Sequence, residues 1–495
     1  MEFLLLKKNS TMSEKTPQTY QIAKFALSRT YNDLKPETID QLKKHLLDST
    51  ASMLHCLHRP TIEKLTAQIK ELADGGACKV PIVGTTSYDR AAQLYTALIR
   101  YPDFMDNYLG KEATCHPSDN IGALLAASQM VNATGEEFLL AMAIAYEVEC
   151  RLVEEIPVMI KGFDHTLLFA YSVTAGLCRL LGLNVDEAAN ALAIAGCTYN
   201  PLVVCRASYT REWKGLMSSM VAFGCMNIVL QAKNGITGPT QIFEGDKGFS
   251  QEIGMKLKYN WDEDQFDLIP KCVLKSYNAE VHTQSLIEAA LELKQKHKLN
   301  PEQIEHVQIV TFLTTYHIVG GGEYGDRHNV YSKEQADHSL PYVIAAALLH
   351  DDLYPEQFLE ERINSEDVQG LLKKVEVKTK FPLHKPKEAA GILDPYTKAY
   401  PDKMMGEVKI KMKNGKEYSL EKEDYYGFHT KPMSWTNVKK KFKRLSLENA
   451  DNDLQKDIID IITQLQNYKL AGLIKLLVKA GNKKTRSLRH YKKTG

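Results

Sequence analysis

Residues 134–153, Thr-Gly-Glu-Glu-Phe-Leu-Leu-Ala-Met-Ala-Ile-Ala-Tyr-Glu-Val-Glu-Cys-Arg-Leu-Val, decide the fold class. Thr134 with Glu137 three residues on is a capping box, and the run Phe138–Val153 behind it is apolar or small on almost every face. A helix with so little polar surface has to be surrounded by other helices. Asn184-Val185-Asp186-Glu187 repeats the device before Ala188–Ala195, just after Leu181-Gly182-Leu183 closes the helix ahead of it. Met217–Gln231 continues the pattern until Asn234-Gly235 and Gly238-Pro239 signal a loop.

Beyond Lys275 the texture changes. Ser285–Gln295 reads as a helix, Pro301–Phe312 as a strand, Leu340–Leu349 as a short apolar helix and Val375–Thr379 as a strand. Glu407–Met412 and Glu417–Leu420 flank Asn414-Gly415, the strongest short hairpin signal. Trp435–Leu445 and Gln455–Leu477 return to helix. The fold class expected is mostly α with an inserted α+β domain: a helical domain over 1–274, the α+β domain over 275–433, and C-terminal helices over 434–495 that rejoin the first domain. The first 12–20 residues are expected to be poorly ordered, with Met12 an alternative start. The start MEFLLLKKNS is apolar before it is basic and has no cleavage-like end, so a signal peptide is not expected. The tail Lys483–Lys493, with six Lys or Arg, reads as a solvated end.

The 495 residues allow roughly two to four domains. Hydrophobic residues at 44% and charged ones at 25% are the balance of a globular chain, not a disordered one. Lys and Arg number 62 against 61 Asp and Glu, so there is no chain-wide basic field for nucleic acid. No uncharged apolar run reaches the roughly 18 residues of a membrane span. Nine cysteines without a C-x-x-C pair give no support to a disulfide framework, a zinc ribbon or an iron–sulfur cluster. A reducing, cytoplasmic setting, no nucleic-acid or membrane partner, no metal and no cofactor are the corresponding expectations.

Short polar loops between apolar helices are where chemistry can sit. Asp103-Phe104-Met105-Asp106-Asn107 and Cys115-His116-Pro117-Ser118-Asp119-Asn120 gather carboxylates, an imidazole, a hydroxyl and amides just before a helix start, a place suited to an anion. Capping by Ser118 or Asp119 accounts for the same residues. Asp164-His165-Thr166, Arg211-Glu212-Trp213-Lys214, Lys275–His282 and Asp337-His338-Ser339 are the other such loops. Each also has a plain reading: a cap at Asp164 or Thr166, a solvated Lys214, a polar linker at 275–282, and a cap at Asp337 or Ser339. Gly320-Gly321-Gly322 is not a nucleotide-binding loop, and His55 and His58 lack a carboxylate partner at ligand spacing.

The ordered combination DFMDNYLGKEATCHPSDNIG, REWKG, KSYNAEVHTQS and KEQADHSLPY resembles the MmgE/PrpD family over about Tyr20 to Leu445. The resemblance extends to Leu-Leu-Gly-Leu at 180–183, Gly-Ile-Thr-Gly-Pro at 235–239 and Pro-Met-Ser at 432–434. It implies a helical domain with a smaller α+β lid, a site between them, and a homodimer. It implies a lyase acting on a small tricarboxylate: 2-methylcitrate dehydratase chemistry in propionate catabolism, extending to citrate or cis-aconitate. Cis-aconitate decarboxylase forming itaconate is the alternative, and an inactive helical scaffold or binding protein the alternative of another class. The run His116-Pro117-Ser118-Asp119-Asn120 looks like the dehydratase branch, while Asn107 stands where the family usually has Thr. By the same resemblance Asp103, His116, Lys214 and Lys275 are the catalytic residues, and Asn107, Ser118, His165 and His282 bind substrate. Proton transfer would fall to His116 and Asp103, with Lys214 and Lys275 binding carboxylates or one of them serving as acid. Lys275 is expected to be a lone exposed cation that adds little to stability.

Overall fold

The computed structural model describes residues 16–72, 75–111, 113–207, 210–254, 256–381 and 393–482. The sequence-based expectations for the extreme N-terminus and for the basic tail at 483–493 lie outside the described residues. Helix Thr166–Leu180 is the axis of the larger part. It touches Asp119–Val131, Gly135–Glu155, Val185–Thr198 and Met217–Lys233, and every residue in it is buried except Arg179. Both capping boxes form: Thr134 accepts from Glu137 N–H and Asn184 from Glu187 N–H. Helices Tyr88–Arg100 and Asp119–Val131 cross closely because position 122 is glycine; a Cβ there would lie 2.3 Å from the Thr96 backbone nitrogen. That crossing brings Arg100, at the end of one helix, to Asp119, at the start of the other.

The smaller part is a four-stranded sheet in the order Val375–Thr379, Ile304–Thr311, Gly406–Met412, Glu417–Lys422. The first pair is parallel and the other two antiparallel, with the Asn414-Gly415 hairpin in place. Helices Gln284–His297 and Leu340–His350 cover it, and their apolar faces form a second core with Val307, Ile309, Val408 and Ile410. A third, smaller cluster joins the two parts: Leu109 and Val273 pack with Phe312, Tyr400, Met404 and Phe428.

The chain is therefore mostly α with an α+β part. After it, helix Trp435–Ser446 runs along Pro36–Cys56 and buries Val438, Phe442 and Leu445 in the first core. One expectation changes. Gln455–Leu477 is not one helix but Asn452–Thr463 and Leu470–Gly481, separated by a short turn. There the backbone leaves the helix to pair with another segment: Gly135 N–H donates to Tyr468 O at 2.7 Å and Leu470 N–H to Ala133 O at 3.0 Å. Only glycine fits at 135, since a Cβ would meet Leu465 O at 1.8 Å. The strand expected at Pro301–Phe312 begins at Ile304, after a single 3-10 turn at Pro301–Gln303. Among the described residues, no helix is long and apolar enough to cross a membrane.

Candidate active site

The first loop leaves helix Tyr88–Arg100 and turns at Asp103, whose φ of 57° is left-handed, a conformation Asp tolerates better than most residues. The chain then doubles back, and Tyr108–Leu109 pairs with Thr114–Cys115, which sets His116 beside Asp106 and Asn107. Asp106 ties the loop down. Its carboxylate accepts from His45 Nδ1 at 2.6 Å, Tyr146 OH at 2.8 Å and Ser118 N–H at 2.9 Å. Burial works against the charge, but His45 and the Ser118 hydrogen bond outweigh it and hold the group below the usual carboxylate range.

Asp103 is the centre of the charges. Lys275 Nζ donates to its Oδ1 at 2.9 Å and to its carbonyl oxygen at 2.8 Å. Lys214 Nζ lies 3.0 Å from Oδ2 and Arg100 NH1 3.2 Å from Oδ1. Burial opposes ionisation, yet Lys275, Lys214 and Arg100 together hold the Asp103 carboxyl far below its ordinary value. From the α+β part, Asp337 Oδ1 meets Lys214 Nζ at 3.1 Å and His338 Nδ1 at 2.7 Å, while Asp337 Oδ2 meets Lys333 Nζ at 3.0 Å. Asn278 Nδ2 donates to Pro102 O at 2.9 Å, and Tyr101 OH to Glu334 at 3.0 Å. The site is thus built from both parts of the chain and closed between them.

Ligand atoms of Asp103, Asp337 and His338 converge as a metal set would, within 4.8 Å of one another. The Lys214 ammonium already occupies their focus, at 3.0, 3.1 and 2.8 Å. Glu147, Asp264 and Asp267 form a second convergent set, and there Arg151 NH2 sits at 3.0, 3.3 and 2.7 Å. Both acidic groups are built around a side-chain cation.

His116 Nδ1 lies 3.1 Å from Asp106 O; a proton on Nδ1 makes this contact and leaves the lone pair on Nε2, whereas a proton on Nε2 lets Nδ1 accept from the Asn107 amide. The Asn107 amide is 3.0 Å from the same nitrogen. Burial, Arg100 and His165 push the His116 pKa well down, so the ring is neutral at physiological pH. His165 stacks edge-on against it at 5.1 Å, and burial lowers its pKa to about 3. Both ring nitrogens of His165, Ser118 Oγ, Asn107 Oδ1 and Arg100 Nε are buried without a hydrogen-bond partner. Unmet polar atoms are costly in a closed interior, and so many in one place mark a site for a polar ligand.

Six of the eight residues picked from the sequence, Asp103, Asn107, His116, Ser118, Lys214 and Lys275, meet here with His165 beside them. His282 stands behind the site. Its Nδ1 pairs with Glu280 at 2.7 Å and its Nε2 with Tyr400 OH at 3.0 Å, inside the joining cluster. Lys275 is not the exposed cation expected: it is 1% exposed and ion-paired, because the chain between the two parts runs through the interior. Ser118 occupies the N-cap position, but its side chain makes no cap hydrogen bond. His165 occupies the next N-cap position, and Asp164, one residue before it, accepts from Thr166 N–H at 3.0 Å. In the last loop Ser339 caps, so the capping account fits Ser339 while Asp337 and His338 face Lys214.

Sequence reasoning missed Arg100, the site role of Asp337 and His338, and Lys441. Lys441 Nζ donates to Phe104 O at 2.7 Å and Lys275 O at 3.0 Å and pairs with Asp48 at 2.8 Å, tying both loops together. Its signal was legible: it shares the apolar stripe of Val438, Phe442 and Leu445, where a solvated lysine has no place.

A family model described as the MmgE/PrpD N-terminal domain matches residues 20–262, and one described as the MmgE/PrpD C-terminal domain matches 277–467. The chain is 28% identical over 352 residues to 2-methylcitrate dehydratase of Salmonella typhi, covering 67% of this chain and 71% of that one. It is 27% identical over 352 residues to 2-methylcitrate dehydratase of Escherichia coli, with 67% and 71% covered. It is 24% identical over 401 residues to cis-aconitate decarboxylase of Mus musculus, with 76% and 75% covered.

Proposed function

We propose that this chain, which belongs to the MmgE/PrpD family, is a cofactor-independent hydro-lyase that converts 2-methylcitrate to 2-methyl-cis-aconitate and water in propionate catabolism. The observation that carries this reading is the closed cluster at the junction, where Lys214, Lys275 and Arg100 all face Asp103, and Lys214 also Asp337, amid unpartnered polar atoms. A polyanion of small size is the complement of such a group of cations. The reaction needs a base for the proton beside a carboxylate and an acid for the departing hydroxyl. Neutral His116, in the tautomer that donates from Nδ1 to Asp106 O and leaves Nε2 unprotonated, is suited to take the proton. Lys214 is suited to protonate the hydroxyl, because burial lowers its pKa against the pull of Asp337 and Asp103. Lys275 and the N–H groups at the start of helix Asp119–Val131 bind carboxylates. Asp103 is held ionised by its cations, so in this mechanism it orients them and carries no proton. His165, Asn107 and Ser118 supply hydrogen bonds to substrate, and His282 braces Glu280 behind the site.

Decarboxylation of cis-aconitate is a second reading, favoured by the likeness to the Mus musculus protein, which extends over more of the chain than that to the two dehydratases. It would use the same cations, with carbon dioxide leaving in place of hydroxide. A homodimer in the cytoplasm belongs to the same proposal. The test is incubation of metal-stripped protein with 2-methylcitrate, citrate and cis-aconitate, with products identified by mass spectrometry. Water loss from 2-methylcitrate supports the proposal; itaconate from cis-aconitate with 2-methylcitrate untouched replaces it by the second reading; no turnover of any of the three overturns both.

A further inference from the structure

Arg100 has no role in the reading of the sequence and an unusual place in the structure. It is the last residue of helix Tyr88–Arg100, and its side chain is 1% exposed. A guanidinium buried this deeply normally spends its donors on carboxylates or carbonyls. Arg100 does not. Its Nε and NH1 have no hydrogen-bond acceptor. The 3.2 Å approach of NH1 to Asp103 is an ion-pair contact off the hydrogen-bonding line, and Nε stands 3.7 Å from Asp119 Oδ2.

Asp103 Oδ2 and Asp119 Oδ1 are likewise buried without a hydrogen-bond partner, yet neither meets a donor of Arg100. Asp103 already accepts from Lys275 and faces Lys214. Asp119 Oδ2 accepts from Ser218 Oγ at 2.5 Å, and burial raises the Asp119 pKa to about 7, so at neutral pH the group is only partly ionised. The other nearby acids have their own cations: Asp164 pairs with Arg206, and Asp337 with Lys333 and Lys214. Arg100, Lys214, Lys275 and Lys333 thus stand against the two carboxylates Asp103 and Asp337 in this cluster. The guanidinium is close enough to both imidazoles to lower the pKa of His116 and of His165. Its NH1 lies 3.2 Å from Asp103, the carboxylate that Lys214 and Lys275 also face, which sets it among the proposed substrate-binding groups.

We propose that Arg100 is a third substrate-binding cation, holding one carboxylate through its planar fork, and that it sets the preference for three carboxylates over two. This rests on the tricarboxylate reading above and adds to it a residue and a source of specificity. A lysine point charge such as that of Lys275 tolerates many carboxylate positions; a guanidinium fork demands one geometry.

The test is calorimetric binding of three unreactive probes to wild type, Arg100→Gln and Arg100→Lys: tricarballylate, and its two counterparts lacking one carboxylate, glutarate and methylsuccinate. If Arg100 holds one carboxylate, Arg100→Gln weakens tricarballylate by about tenfold to a hundredfold, the range for a charge-assisted hydrogen bond. At least one dicarboxylate, the one lacking the carboxylate Arg100 grips, then stays within about threefold of wild type. Arg100→Lys keeps the charge but not the fork and falls between; it carries the comparison if the Gln variant does not fold. Tricarballylate binding equal to wild type in both variants, or an equal loss for all three probes, would overturn the assignment, since a merely structural arginine makes no distinction among them. If wild type binds none of the three, the tricarboxylate reading itself fails and this inference with it.

Discussion

Lys441 offers the sharpest test of how the two site loops are held. Replacing it by Met keeps the length and removes the charge. The ammonium is 3% exposed and lies 2.8 Å from Asp48, which is 1% exposed. It also donates to the carbonyls of Phe104 and Lys275 and sits 3.8 Å from the centre of the Phe104 ring. Losing one partner of a buried pair costs about 3–5 kcal/mol. Each orphaned carbonyl adds about 1 kcal/mol. Burial raises the Asp48 pKa, so the stranded carboxyl takes up a proton and relieves part of this. The expected net loss is about 4–5 kcal/mol. The assay is urea unfolding followed by tryptophan fluorescence, to which Trp435 contributes with Trp213 and Trp261; the Trp435 indole N–H donates to Asp40 at 2.7 Å on the helix beneath. Asp48→Asn is the second arm of a double-mutant cycle. The double variant should be more stable than the sum of the single losses predicts by at least about 2 kcal/mol. A Lys441→Met protein within about 1 kcal/mol of wild type, or strict additivity in the cycle, would refute the account.

Other outcomes follow from the same geometry. Lys275→Ala leaves Asp103 short of one buried cation and should lower stability by about 3–5 kcal/mol, measured by thermal or urea unfolding; an unchanged unfolding curve would restore the exposed-lysine expectation. Asp119 has its folded pKa raised from 3.8 to about 7, so the native state holds a proton that the unfolded state has released. Stability is then lost as pH rises between those values, by about 4 kcal/mol in all, and Asp119→Asn should remove that slope. Parallel stability–pH curves for the two proteins would count against it. His116→Ala should lower kcat on the confirmed substrate by at least about tenfold with folding intact. Because its pKa is depressed, the base stays neutral between about pH 7 and 6, so a His116-dependent loss of kcat/KM is expected only in more acid solution. Turnover should survive EDTA, since Lys214 and Arg151 fill the two convergent acidic sets found among the described residues; loss restored by one metal ion would exclude that reading.

The helices and the hairpin were local matters, and the sequence by itself determined them. Thr134 with Glu137, Asn184 with Glu187, Gly182 and Asn414-Gly415 act on their immediate neighbours along the chain, so their effect can be read without knowing what surrounds them. The ordered motifs likewise placed the chain in its family and picked Asp103, His116, Lys214 and Lys275. What only the tertiary structure decided is what those residues are paired with. Lys275 read as a solvated lysine because nothing near it in the chain says that Asp103, 172 residues away, will meet it at 2.9 Å. Arg100 reads as an ordinary helix end until the glycine crossing at 122 sets it against Asp119. The break at 464–469 depends on a backbone partner at 133–135, far earlier in the chain. Caps and periodicity are fixed by neighbours along the chain, whereas burial and charge pairing are fixed by neighbours in space. For ionisable groups the second set decides whether a side chain is solvent-facing or the centre of a site.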